Sequence, residues 1–157
     1  MDANPAVLLV LLLLLVGISI AFLFSQLKKE TARIEMTNSS GKPVFVDAEL
    51  ADNAAKQARG LMFRGSLGEN EGMLFIFNGE AYRTFWMMNT TIPLDAIFFS
   101  ADGRVVDIIQ MEPCKSPISC KTYPSSAKAK YVLEVNQGFA EKNGIEKGKS
   151  ALVVRDW

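Results

Sequence analysis

The chain has 157 residues, with 17 basic and 17 acidic side chains and no histidine. A formal net charge of zero with no basic run excludes a phosphate-tracking surface, so nucleic acid is not an expected partner. Without imidazole the commonest general base, the commonest metal ligand and every triad built on one are gone. The two cysteines alone do not complete a structural zinc site, so no metal and no cofactor is expected.

From Pro5 to Phe24 no residue is charged, and Leu, Val, Ile and Phe dominate. At 1.5 Å per residue, about 20 such residues cross a hydrocarbon layer of roughly 30 Å. Residues 1–27 are therefore expected to be a single-pass transmembrane helix that holds the chain to membrane lipid. Ser19 and Ala21 give the small-x-small pattern of a cleaved signal. A signal core usually runs only about 7–15 residues, however, and here Phe22, Leu23 and Phe24 carry the apolar run onward. Residues 28–42 read as a polar tether and first strand, and residues 43–157 as one globular domain.

Two signals about sidedness disagree. Lys28, Lys29 and Arg33 follow the anchor, which favours a cytoplasmic domain. Cys114 and Cys120 share a short Pro-rich loop, where a disulfide would contribute roughly 2–3 kcal/mol and would need an oxidising compartment. Glu30 dilutes the charge signal, so the domain is expected to be extracytoplasmic.

In chain order, Ile34–Thr37 predicts a strand turned by Asn38–Gly41, and Val44–Leu50 its return, with Val44, Val46 and Ala48 on one face. Asp52 is placed to cap a helix through Ala54–Ala58, with Gly60 just past its end. Gly72–Phe77 reads as a buried strand ended by the turn pair Asn78-Gly79. Phe85–Thr90 and Leu94–Ser100 predict two more strands, with Pro93 between them. Asp102-Gly103 signals a hairpin to Val105–Met111. After the cysteine loop, Tyr131–Val135 is a strand, Gln137–Asn143 a short helix stopped by Gly144, and Ala151–Val154 a closing strand. About eight strands and two short helices predict a mainly β domain with minor α. Its expected form is a small antiparallel barrel or sandwich.

Arg59-Gly-Leu-Met-Phe-Arg64, Gly72-Met-Leu-Phe-Ile-Phe77 and Phe85-Trp-Met-Met-Asn-Thr-Thr-Ile-Pro-Leu-Asp95 occur in that order, followed by Ala129-Lys-Tyr-Val-Leu-Glu134 and Gly144-Ile145. Together they resemble the uncharacterised family named domain of unknown function 192, over most of the chain from Val44 to Val154. The tract from Phe85 to Asp95 is the most specific part. The resemblance implies a small β-barrel-like fold with minor helices and frequent export or membrane anchoring. It implies no activity. The family often carries Lys or Arg where this chain has Met88, so an anion contact at that position is in doubt.

Seven residues are candidates for a working surface. Asp95 alternates onto a face with Ile97 and Phe99, and a buried carboxylate needs a partner. Arg59 and Arg64 are the natural ones, either as an ion pair pinning the helix end to the sheet or as the floor of a pocket. Alternation puts Phe85, Met87 and Asn89 on one face and Trp86 with Met88 on the other. An exposed Trp86 near the Asn89 amide suits a sugar or peptide; a buried Trp86 would be core. The nearby methionines suit copper(I) chemically, but methionine beside aromatics usually fills core. Tyr123 joins the surface as a further aromatic. Glu134, on a strand face with Val132, is a candidate to form with Asp95 or Glu112 a carboxylate pair for acid–base work or glycoside cleavage.

Three functions follow from these residues. The first is a membrane-anchored binding or accessory module for a glycan, a peptide or a protein partner. The second is a metal-independent hydrolase working through carboxylates. The third is a structural subunit of a membrane complex.

Overall fold

The computed structural model describes residues 14, 31–114 and 117–153. The expected anchor lies outside the described residues except for Leu14. Among the described residues no helix is long and apolar enough to cross a membrane.

Strand β1, Thr31–Thr37, and strand β2, Pro43–Ala51, form an antiparallel hairpin. Alternation decides its inner face: Ile34, Met36, Val46 and Ala48 are fully buried. The Asn38 side chain closes the turn by accepting from the Ser40 and Lys42 amides at 3.0 and 2.9 Å. Helix α1, Ala54–Arg59, follows. Its cap is Asn53, not Asp52: the Asn53 side chain accepts from the Lys56 amide at 3.0 Å. Asp52 instead pairs with Lys56.

This helix is a crossover. Strand β3, Glu71–Trp86, returns parallel to β2, from Asp47 beside Glu71 to Ala51 beside Phe75. The expected antiparallel domain is thus a mixed sheet, because a helix between adjacent strands permits the parallel arrangement. Nor does β3 stop at Asn78-Gly79. It runs on against strand β6, Thr122–Asn136, absorbing the turn pair in a register shift between Ile76 and Ala81. The strand expected over Phe85–Thr90 is only the end of β3, which stops at Trp86.

Strands β4, Leu94–Phe99, and β5, Val105–Met111, form the hairpin expected at Asp102-Gly103, where Gly103 has φ 83°. Helix α2, Phe139–Asn143, ends at Gly144 with φ 67°, and strand β7 is Ala151–Leu152. The seven strands lie in the order β5-β4-β6-β3-β2-β1-β7. The expected barrel or sandwich is not formed. The sheet stays open, and its edge strands β5 and β7 meet at one corner, through the bridge Arg104–Ala151 and the bond from the Val105 amide to the Ser150 carbonyl at 2.9 Å.

Each face of this sheet carries its own core. Ile34, Val46, Leu74, Ile97, Leu133 and Val135 lie on one face, with Phe139 and Ile145 packed there. Met73, Phe75, Ala96, Phe98 and Val132 lie on the other, with Leu61, Met87 and Tyr123. That is why β4 is buried along its whole length and reads as a continuous apolar run.

Candidate functional site

Register decides which candidates can meet. Asp95 stands opposite Val135, while Glu134 stands opposite Ala96 on β4 and Met73 on β3. Directly opposed residues share a face and neighbours along a strand do not. Asp95 and Glu134 therefore lie on opposite faces of the sheet, and they form no carboxylate pair.

Asp95 is 1% exposed, and its Oδ2 accepts from the Ala140 amide in α2 at 2.9 Å. It pairs with neither Arg59 nor Arg64, contrary to expectation, and its Oδ1 has no hydrogen-bond partner. Its visible role is to moor α2. Arg64 forms an ion pair with Glu49 instead. Glu49 lies beside Met73, so it shares the Glu134 face two strands away, where an arginine on the loop after α1 reaches it. Tyr123 is 6% exposed, and its hydroxyl accepts from the Glu112 amide at 3.0 Å. It braces the start of the cysteine loop and presents no open ring. Glu112 accepts from Gln137 at 2.7 Å.

Three predicted residues do converge. Arg59, Trp86 and Glu134 line one small cavity of about 30 Å³, together with Gln57, Met62, Phe75, Phe85 and Thr90. Trp86 is 47% exposed and Glu134 is 4% exposed, so the cavity runs from a half-exposed residue at its rim to a buried carboxyl. Arg59 is exposed at the end of α1. Gly60, at φ 48°, lets the chain turn there; a Cβ on it would stand 3.4 Å from the Phe75 ring. Gln57 fixes α1 over the sheet by donating to the Ile76 carbonyl at 2.8 Å.

Electrostatics single out Glu134. Burial pushes its carboxyl up to about 8. Among the described residues no charge offsets that penalty and none donates a hydrogen bond to it. At neutral pH it is a mostly protonated, buried acid lining the cavity. Strongly perturbed carboxyls of this kind concentrate at functional sites.

The mouth is framed by two loops stitched together. The Phe63 amide donates to the Asn89 carbonyl at 2.8 Å, and the Thr91 hydroxyl to the Arg64 carbonyl at 2.9 Å. Phe63 and Asn89 both have positive φ, at 62° and 56°. Asn tolerates that conformation; a bulky aromatic seldom adopts it. Phe63 is nevertheless 73% exposed, so the fold does not hold it there for core packing. Sequence reasoning passed it over, because Leu61-Met62-Phe63 reads as a short core run. Met87 is buried, and Met88 half-buried, so Met87 serves as filling rather than as a ligand.

In the larger hollows several polar groups are engaged with the protein itself. One of about 480 Å³ lies between Asp52 and Arg83. There Arg83 stacks 3.8 Å from the Phe77 ring and donates to the Ala129 carbonyl at 3.1 Å, while Asp52 pairs with Lys56. Another of about 270 Å³ is bounded by the ion pair of Glu69 with Lys142. Cys114 and Cys120 are joined in a disulfide, with their Cα atoms 5.0 Å apart.

Residues 35–153 match the model of the family described as "Uncharacterized ACR", domain of unknown function 192. A crystal structure of a protein of unknown function from Novosphingobium aromaticivorans is similar at 38% identity and a TM-score of 0.70, covering 81% of this chain and 85% of that one. A second, from Sinorhizobium meliloti and described as a candidate transcription regulator, is similar at 28% identity and a TM-score of 0.70, covering 79% and 93%. No curated protein matches the chain.

Proposed function

We propose a binding role for this chain, which belongs to the domain of unknown function 192 family: a membrane-anchored, extracytoplasmic module that seats part of a glycan, peptide or protein partner in the Arg59–Trp86–Glu134 cavity. One observation carries the reading. Half-exposed Trp86 and exposed Arg59 line the same cavity as a buried carboxyl to which no described residue donates a hydrogen bond. Leaving such a group unpaired costs free energy unless something else uses it. The exposed, backbone-strained Phe63 supports the same surface, since strain kept at an exposed side chain is more economically explained by contact than by packing.

The disulfide supports an oxidising compartment, and the uncharged run from Pro5 to Phe24 supports the anchor. The hydrolase reading loses its Asp95–Glu134 pair to the sheet register. The description of the Sinorhizobium meliloti relative is not carried over to DNA contact here, because the chain has no net positive charge.

The test is intrinsic fluorescence of the full chain with Trp157→Phe, which leaves Trp86 as the sole tryptophan. Titration with a panel of glycans and peptides is expected to shift its emission for at least one ligand. Arg59→Ala, read by the same emission, is expected to change the affinity for that ligand. Glu134→Gln is expected to change its affinity. A ligand that binds but is indifferent to both substitutions refutes this seat.

A further inference from the structure

The charged and titratable groups facing Glu134 narrow what can enter. On α1 there is Arg59, exposed at the rim. On β2 there is Glu49, already paired with Arg64 from the loop after α1. On β6 Tyr123 is committed to the Glu112 backbone, and on β5 Asp107 accepts from the Ser126 amide at 2.6 Å. Among the described residues no cation pairs with the Glu134 carboxyl, which is nine-tenths buried and lines the cavity. Three aromatic residues contribute to the remaining lining: Phe75 and Phe85 meet edge to face with centroids 5.1 Å apart, and Trp86 stands beside Phe85 in the chain. Of the polar lining, Gln57 donates to the Ile76 carbonyl at 2.8 Å and the Thr90 hydroxyl to the Met88 carbonyl at 3.4 Å. Aromatic faces attract cations, and desolvation strengthens that attraction. A volume of about 30 Å³ accepts a group the size of two or three water molecules, which rules out a sugar ring or a trimethylammonium head.

We propose that the cavity takes a primary ammonium on a slender methylene stem, with Glu134 as its carboxylate partner and Phe75, Phe85 and Trp86 around the stem. The inference rests on the cavity being the ligand seat and names the chemistry it accepts. Binding is proton-coupled. The carboxyl enters the reaction protonated, loses its proton to solvent as the ammonium arrives, and ends as half of a buried ion pair. Arg59 at the rim repels the incoming cation and so limits its affinity.

The experiment is calorimetric titration of the full chain in detergent micelles at pH 7, in buffers of different ionisation enthalpy. The probes are n-propylamine, 1-propanol and tetramethylammonium. Propylamine is expected to bind and to release about 0.9 proton per ligand, the protonated fraction of a group titrating near 8. Propanol and tetramethylammonium are expected to bind at least ten-fold more weakly. Glu134→Gln is expected to lower propylamine affinity ten-fold or more and to abolish proton release, with circular dichroism confirming the fold. Arg59→Ala is expected to raise propylamine affinity a few-fold. A lysine peptide compared with its norleucine counterpart identifies the source: tighter binding than propylamine points to a polypeptide, equal binding to a small amine, and both support the ammonium. Propanol binding as tightly as propylamine overturns the inference, as does binding without proton release or unchanged binding by Glu134→Gln. Should a screened neutral ligand bind in a Trp86-dependent way without releasing protons, the ammonium is wrong and the seat stands. Should Trp86→Ala spare every ligand found, the seat falls as well.

Discussion

Replacing Glu134 by Gln is expected to stabilise the fold, increasingly so as pH rises. The carboxyl titrates near 4.5 when unburied and near 8 in the folded chain. A raised folded-state value means that the native state holds its proton more tightly than the unfolded chain does. Below pH 4.5 both states are protonated, and burial of the ionised form costs nothing. Between pH 4.5 and 8 the unfolded chain ionises freely while the folded one resists, which erodes stability by about 1.4 kcal/mol per pH unit. The loss reaches roughly 3 kcal/mol at pH 7 and levels off at roughly 5 kcal/mol above pH 8. Glutamine keeps the shape and the neutrality of the protonated acid and never ionises. Urea denaturation of wild type and Glu134→Gln, followed by circular dichroism from pH 4 to 9, should therefore give curves that coincide at pH 4 and diverge upward. A constant gap across that range would refute the burial argument, and so would a wild type as stable as the variant at pH 8.

Other sites give independent outcomes. Gly72→Ala would place a Cβ 2.6 Å from the Glu134 carbonyl oxygen and 3.0 Å from the Val135 side chain; a loss of about 1–3 kcal/mol or more in denaturant midpoint analysis is expected from such overpacking. Cys114→Ser with Cys120→Ser removes the closure of a short loop and should cost about 2 kcal/mol. In intact cells, a membrane-impermeant maleimide should label the wild-type cysteines only after mild reduction from outside; labelling only after lysis would refute the extracytoplasmic placement. Phe63→Gly relieves the positive φ of an exposed aromatic, so thermal stability should hold or rise by about 1 kcal/mol, while affinity for any ligand of the cavity should fall. Loss of stability with affinity intact would make Phe63 a structural residue.

Local chemistry made much of the fold legible. Asn38–Gly41 and Asp102-Gly103 turn where their residues say they should, because left-handed conformations are cheap only for a few side chains. The parallel pairing of β2 with β3 was also written in the sequence, as a helix between two strands, yet the count of strands outweighed it. The length of β3 was not legible. Asn78-Gly79 is a strong turn signal, but long-range pairing with β6 turns it into an irregularity within a strand. Asn53 and Asp52 are nearly equal as caps, so only the bond to the Lys56 amide distinguishes them.

The site was half legible for a related reason. Trp86, Arg59 and Glu134 were recognisable as candidates, although Trp86 also read as core, and the cavity brings those three together. The sequence offers Arg59 or Arg64 as a partner for Asp95, and Asp95 or Glu112 as the second carboxylate beside Glu134. Alternation along each strand was known; the offset between the strands was not, and a shift of one residue exchanges the faces. The register sets Asp95 opposite Val135 and sends the two carboxyls to separate cores. Each then meets a different fate. Asp95 finds the Ala140 amide, so its burial is partly compensated and serves to hold α2. Glu134 finds a cavity and, among the described residues, no donor, so its burial is uncompensated until something enters. A carboxyl placed to bind is thus told from one placed to brace by whether the protein itself supplies the donor.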